Sequence, residues 1–160
     1  MMCLRHSLWN ESDHIITSAK HSHHIWRSQI HNSKLTTQNE GFIMASSILR
    51  EKSKEFAKDI VFLCRVLKKN GVESALTNQL IRCGTSIGAN VHEAQYAQGT
   101  RDFISKLEIA LKECNESEYW LELLFETGSI SETELRDFQR KCIEIRRMLV
   151  SSVKTLKQKI

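Results

Sequence analysis

Four stretches of the sequence repeat apolar side chains at intervals built from three and four residues. The first carries Leu49, Phe56, Ile60, Leu63 and Leu67; the second Leu76, Leu80, Cys83, Ile87, Val91 and Ala94. The third carries Phe103, Leu107, Ala110, Leu111, Cys114, Leu121 and Phe125; the fourth Leu135, Phe138, Cys142, Ile145, Leu149, Val153 and Leu156. Such spacing lays one apolar stripe along a helix of 3.6 residues per turn. The chain contains no proline, so its strongest helix breaker is missing throughout. The pattern predicts helices over about 45–69, 74–98 and 101–127, and a fourth after residue 131. Asn70-Gly71 should close the first, Gly99 the second with Thr100 capping the third, and Gly128 the third. "SETE" at 131–134 has the form of a capping box, serine serving the amide three residues on and glutamate reaching back. Long helices joined by a few residues must run antiparallel, which predicts an all-α, up-down-up-down four-helix bundle.

At 160 residues the chain has room for one ordinary domain. Its longest apolar runs, such as "VFLC" at 61–64, hold about four residues, far short of the roughly 20 that a membrane span needs. Nothing near the N-terminus resembles the apolar core of a signal peptide, so the expected location is cytoplasmic, without a membrane partner. Five cysteines, none in a C-x-x-C pair, are expected to remain thiols, and Cys83, Cys114 and Cys142 lie on apolar stripes as small core fillers.

Residues 1–43 differ in character. They hold six of the seven histidines and two of the three tryptophans without any sustained apolar period. They read as a poorly structured tail or as translated upstream sequence, with residues 44–160 forming the bundle. The second reading has a physical basis, since Glu40-Gly41 back-translates to codons that can contain GAGG, a ribosome-binding sequence, shortly before Met44. The "HSHH" at 21–24 has imidazoles for a transition metal, but it lacks a carboxylate or thiolate partner in a fixed element. No metal site and no cofactor are expected.

Catalytic chemistry finds little support. A di-iron bundle needs two Glu-x-x-His elements and two further glutamates, whereas His92 is the one histidine after Met44. No nucleophile stands at a readable spacing from a base, and no small-molecule substrate site is indicated. The expected class is therefore a noncatalytic protein.

Gly84 and Gly88 interrupt the second helix at a propensity cost of roughly 1 kcal/mol each. Four apart, they share one side, where small residues allow another helix to approach closely. Asn90, on the other flank, is read as a register device bonding to a neighbouring helix. Charge is segregated: residues 136–160 hold eight basic and two acidic side chains, +6, while residues 101–126 hold three and seven, −4. Arg136, Arg140, Arg147 and Lys154 fall within about 40° of arc on the fourth helix, a candidate phosphate-binding stripe. Ile109, Trp120 and Leu123, with Tyr119 nearby, lie roughly opposite the third helix's stripe and are candidate oligomer contacts.

The stretch from Leu80 to Leu124 resembles the signature of the four helix bundle proteins known as 23S rRNA intervening-sequence proteins, R-x-x-x-S-I-x-x-N-I-x-E-[GA] followed by K-D-F-x-x-x-L-x-I-A. Here these positions are Arg82, Ser86, Ile87, Asn90, Val91, Glu93 and Ala94, then Arg101, Asp102, Phe103, Leu107, Ile109 and Ala110. Val91 and Arg101 replace the usual isoleucine and lysine, and His92 stands where alanine is frequent. The resemblance spans residue 45 to the C-terminus. It implies an antiparallel bundle, a ring-like homopentamer, no known catalysis, and kinship to the retroelement accessory protein that contacts reverse transcriptase and nucleic acid. Together these readings predict an oligomeric helical adaptor that binds RNA or a nucleic-acid enzyme through its basic face. The alternative is a purely structural protein–protein module whose basic face is ordinary solvated charge.

Overall fold

The computed structural model describes residues 46–158, all within one compact unit, Met44–Ile160. The expectations for the histidine-rich segment and the start at Met44 lie outside the described residues. Four helices account for the described chain: α1 over 46–69, α2 Ser74–Ala94, α3 Thr100–Glu126 and α4 Glu132–Lys157.

The helix ends follow from local chemistry. Gly71 and Gly128 adopt positive φ, 85° and 70°, the left-handed conformation that glycine takes without a Cβ clash. After α1, Val72 N–H donates to the Leu67 carbonyl and Gly71 N–H to that of Lys68. After α3, Ser129 N–H donates to Leu124 and Gly128 N–H to Phe125. Both are Schellman closures, which satisfy carbonyls that a helix end would otherwise orphan. At α4, Glu134 N–H donates to Ser131 Oγ at 3.3 Å while Ser131 N–H donates to Glu134 Oε2 at 2.8 Å, completing the capping box.

The connection between α2 and α3 departs from the sequence reading. α2 ends at Ala94 rather than near 98, and Thr100 is the first residue of α3 rather than its cap. Gly99, the residue before the helix, has no side chain to cap with. The Asp102 carboxylate instead accepts from Gln98 N–H at 3.1 Å, and Phe103 N–H donates to the Gly99 carbonyl. A carboxylate in the first turn can serve both an orphan amide and the positive end of the helix.

Contacts along each seam run in opposing chain order. Ser53 and Ile60 of α1 face Gly88 and Gly84 of α2. Arg82 and Glu93 of α2 pair with Glu116 and Lys106 of α3. Glu108 and Glu118 of α3 pair with Lys157 and Arg146 of α4. Lys52 and Asp59 of α1 pair with Glu144 and Lys141 of α4. Each neighbouring pair is thus antiparallel, and the stripes meet in one core that includes Phe56, Ile60, Leu80, Ile87, Leu107, Leu121, Ile145 and Leu149.

On α3 the buried face is turned slightly from the expected one. Ile104 and Leu124 are buried, whereas Phe103 is half-buried and Phe125 exposed; Ser117 fills the middle of the stripe. Adjacent apolar residues, Phe103 with Ile104 and Leu124 with Phe125, leave the phase open in sequence. Ser117 fits because it is small and its hydroxyl donates to the Glu113 carbonyl at 2.8 Å, satisfying its polar group inside the core.

Candidate functional site

α4 presents its basic residues in two ways. Those facing its neighbours are engaged across seams, Arg146 with Glu118, Lys157 with Glu108 and Lys141 with Asp59. Of the outward stripe, Arg136 pairs with Glu132 and Arg140 with Asp137, both one turn away on α4 itself. Arg147 and Lys154 are exposed and have no ion-pair partner among the described residues. The stripe is therefore half neutralised locally and half free.

The candidate contact ridge on α3 also divides. Tyr119 is 58% exposed and Ile109 36%. Leu123 is half-buried, and Trp120 packs partly against the core with its indole N–H donating to Glu116 at 3.3 Å. Trp120 is thus on the shoulder of the buried face, not opposite it, because at 100° per residue it lies about 40° of arc from buried Leu124 and about 60° from buried Ser117. Tyr119 stacks edge-on against it, ring centroids 5.0 Å apart.

α2 meets α1 along its glycines. A Cβ on Gly84 would stand 2.9 Å from Cγ1 and Cγ2 of buried Ile60, and one on Gly88 3.3 Å from the Ser53 carbonyl oxygen. Asn90 does not reach another helix; its amide donates to the Ser86 carbonyl one turn back, at 2.9 Å. A side-chain amide four residues on lies within reach of its own helix, and this bond satisfies it without a partner from α1 or α3.

The structure adds a feature that reading one helix at a time missed. A groove between α1 and α2 is lined by Arg50, Lys54 and Lys58 on one side and Thr85, Ala89 and His92 on the other. Arg65 continues the cationic side, its guanidinium 5.6 Å from the centre of the exposed Phe62 ring. The sequence signal was there, since 50, 54, 58 and 65 share one side of a helix, but interspersed Glu51, Glu55 and Asp59 masked it.

Nucleophilic and metal chemistry have little to work with. Burial pushes the Cys64 thiol up to about 11 and raises that of Cys83. Cys114 is held far above the ordinary thiol range by its hydrogen bond with Cys142 and by burial. Raised thiols are poor nucleophiles at neutral pH. The Glu113 carboxyl is also raised, first by burial and then by Glu116, and its Oε2 has no hydrogen-bond partner among the described residues. No group of three or more His, Cys, Asp or Glu side chains among the described residues could hold a metal ion, and no described helix is long and apolar enough to cross a membrane.

Against known proteins, the model of the 23S rRNA-intervening sequence protein family matches residues 45–151. The chain belongs to this family. A crystal structure of a protein of unknown function from the S23 ribosomal protein family of Bacteroides thetaiotaomicron is 44% identical, with a TM-score of 0.67, covering 69% of this chain and 98% of that one. No curated protein is matched.

In this chain the signature residues do structural work at one seam. Arg82 pairs with Glu116 and Glu93 with Lys106 across α2 and α3. Ile87, Val91, Ala94, Leu107 and Ala110 are buried beneath them. Asp102 secures the turn between the two helices. The signature therefore specifies how the α2–α3 hairpin closes, and it does not mark out a ligand pocket.

Proposed function

We propose that this chain is a noncatalytic, oligomeric helical adaptor of the cytoplasm. It assembles with copies of itself, five on the resemblance, and contacts RNA, or an enzyme working on nucleic acid such as a reverse transcriptase, through the outer face of α4. The observation that carries the reading is the fate of the charges. Three of the seven acidic side chains of α3, Glu108, Glu116 and Glu118, are consumed in pairs with α2 and α4, and Arg147 and Lys154 are exposed without an ion-pair partner among the described residues. Free cations repeated around a ring would gain avidity for a polyanion by multivalency. The pairing of Arg136 with Glu132 and Arg140 with Asp137 favours the second reading, a structural protein–protein module whose basic face is ordinary solvated charge.

RNA titration of the full chain at two salt concentrations tests the choice. The adaptor reading expects affinity that falls steeply with salt, and Arg147→Glu with Lys154→Glu should weaken it about tenfold or more with a shallower salt slope. A wild-type protein that leaves RNA unbound at low salt establishes the structural module instead.

A further inference from the structure

We infer that the groove between α1 and α2 is a binding track for single-stranded nucleic acid. The inference deepens the RNA reading above and rests on it, but it places the strand on a different face. Arg50, Lys54, Lys58 and Arg65 lie within about 80° of arc on α1 and extend over about 22 Å at 1.5 Å per residue. None of the four has an ion-pair partner among the described residues, whereas the α1–α4, α2–α3 and α3–α4 seams are each bridged by opposite charges. One acid, Glu51, lies on the rim.

The close approach of the helices at Gly84 and Gly88 shapes the space between. Two hollows of about 530 and 350 Å³ share Lys54, Ala57 and Thr85 and so run into one another. Ala57, Val61 and Ala89 provide an apolar floor. Phe62, 59% exposed, stands at one end beside Arg65. At the other end lies His92, against which Tyr96, 77% exposed, packs edge-on at 5.5 Å. Unpaired cations that track a backbone, with exposed rings on which bases can stack, suit an unpaired strand. A duplex offers phosphates alone and leaves the apolar floor unused. A second copy of this chain is a poorer fit, because Glu108, Glu116 and Glu118 of acidic α3 are already paired within their own bundle and its apolar side chains would leave the four groove cations without counter-charges at regular spacing, which a phosphate backbone supplies.

The test uses the full chain and fluorescence anisotropy with three probes: a 12-nucleotide oligouridine, a 12-base-pair RNA duplex and poly-glutamate. Lys54→Glu with Lys58→Glu should weaken oligouridine binding at least tenfold and make the salt slope shallower by about 1.4, two contacts at about 0.7 each. Lys54→Gln with Lys58→Gln should fall between that variant and wild type. Phe62→Ala should cost about fivefold or more on oligouridine and little on duplex. All altered side chains are exposed, and circular dichroism checks that the helices persist. If these variants bind like wild type while Arg147→Glu with Lys154→Glu does not, the groove inference is overturned and the α4 reading stands. If wild type binds neither RNA probe, both fall. A groove that takes poly-glutamate but not oligouridine, or a Phe62→Ala variant with no effect on oligouridine, also overturns the inference.

Discussion

Gly84 illustrates how one atom decides a seam. Alanine there would gain about 1 kcal/mol of helix propensity. Its Cβ, however, would meet the branched centre of Ile60 at 2.9 Å, a fully buried side chain that would have to shift within the core. Overpacking of this kind costs about 1 to 3 kcal/mol, so Gly84→Ala should be destabilising on balance and Gly84→Leu or Gly88→Leu more so. Thermal or urea unfolding reads the sign directly; a variant as stable as wild type would show that α1 and α2 separate easily. At this scale the sequence was informative about identity and silent about partners. Spacing put both glycines on one side of α2, but that Ile60 and Ser53 lie across from them is a property of two helices together. Asn90 shows the converse, since its bond to Ser86 lies within α2 and a periodicity argument cannot separate that from a bond to a neighbour.

Among the elements, α4 begins with the most legible local signal in the chain. The side-chain and backbone bonds from Ser131 hold the Glu134 carboxyl below its ordinary range. A carboxyl with a lower pKa in the folded state than in the unfolded one stabilises folding above the unfolded value, near 4.3, and loses that contribution as pH falls through the folded value. Ser131→Ala should therefore cost about 0.5 to 2 kcal/mol at neutral pH, and the gap from wild type should narrow below about pH 4. Chemical unfolding at pH 7 and pH 3.5 compares the two. Four helices, three of their ends and the α1 and α4 faces were legible because glycine closures, the capping box and single-file stripes are local. α3's phase was not, because paired apolar neighbours at 103–104 and 124–125 fit two rotations, and packing against α2 and α4 chose between them. The early end of α2 was hidden because the chain tightens there into successive bonds to the carbonyl three residues back, Gln95 to His92, Tyr96 to Glu93 and Ala97 to Ala94, with no glycine or proline to announce the change.

For the whole molecule, the surface on α3 tests assembly. Since Trp120 also packs against its own core, a charge there would disturb the fold along with any interface. Tyr119 and Ile109 are the cleaner sites. If they meet a neighbouring copy, Ile109→Glu with Tyr119→Glu should give monomers by light scattering with helical content retained. An assembly of unchanged size would exclude this face as the contact. A different consequence belongs to the uneven distribution of charge among the seams. Three are bridged by ion pairs, which an electrolyte weakens, while α1 carries Arg50, Lys54 and Lys58 one turn apart, whose mutual repulsion the same electrolyte relieves. The two responses oppose each other. The unfolding midpoint of the bundle should therefore move little between low and high salt, under conditions that would release a polyanion from the α1 cations.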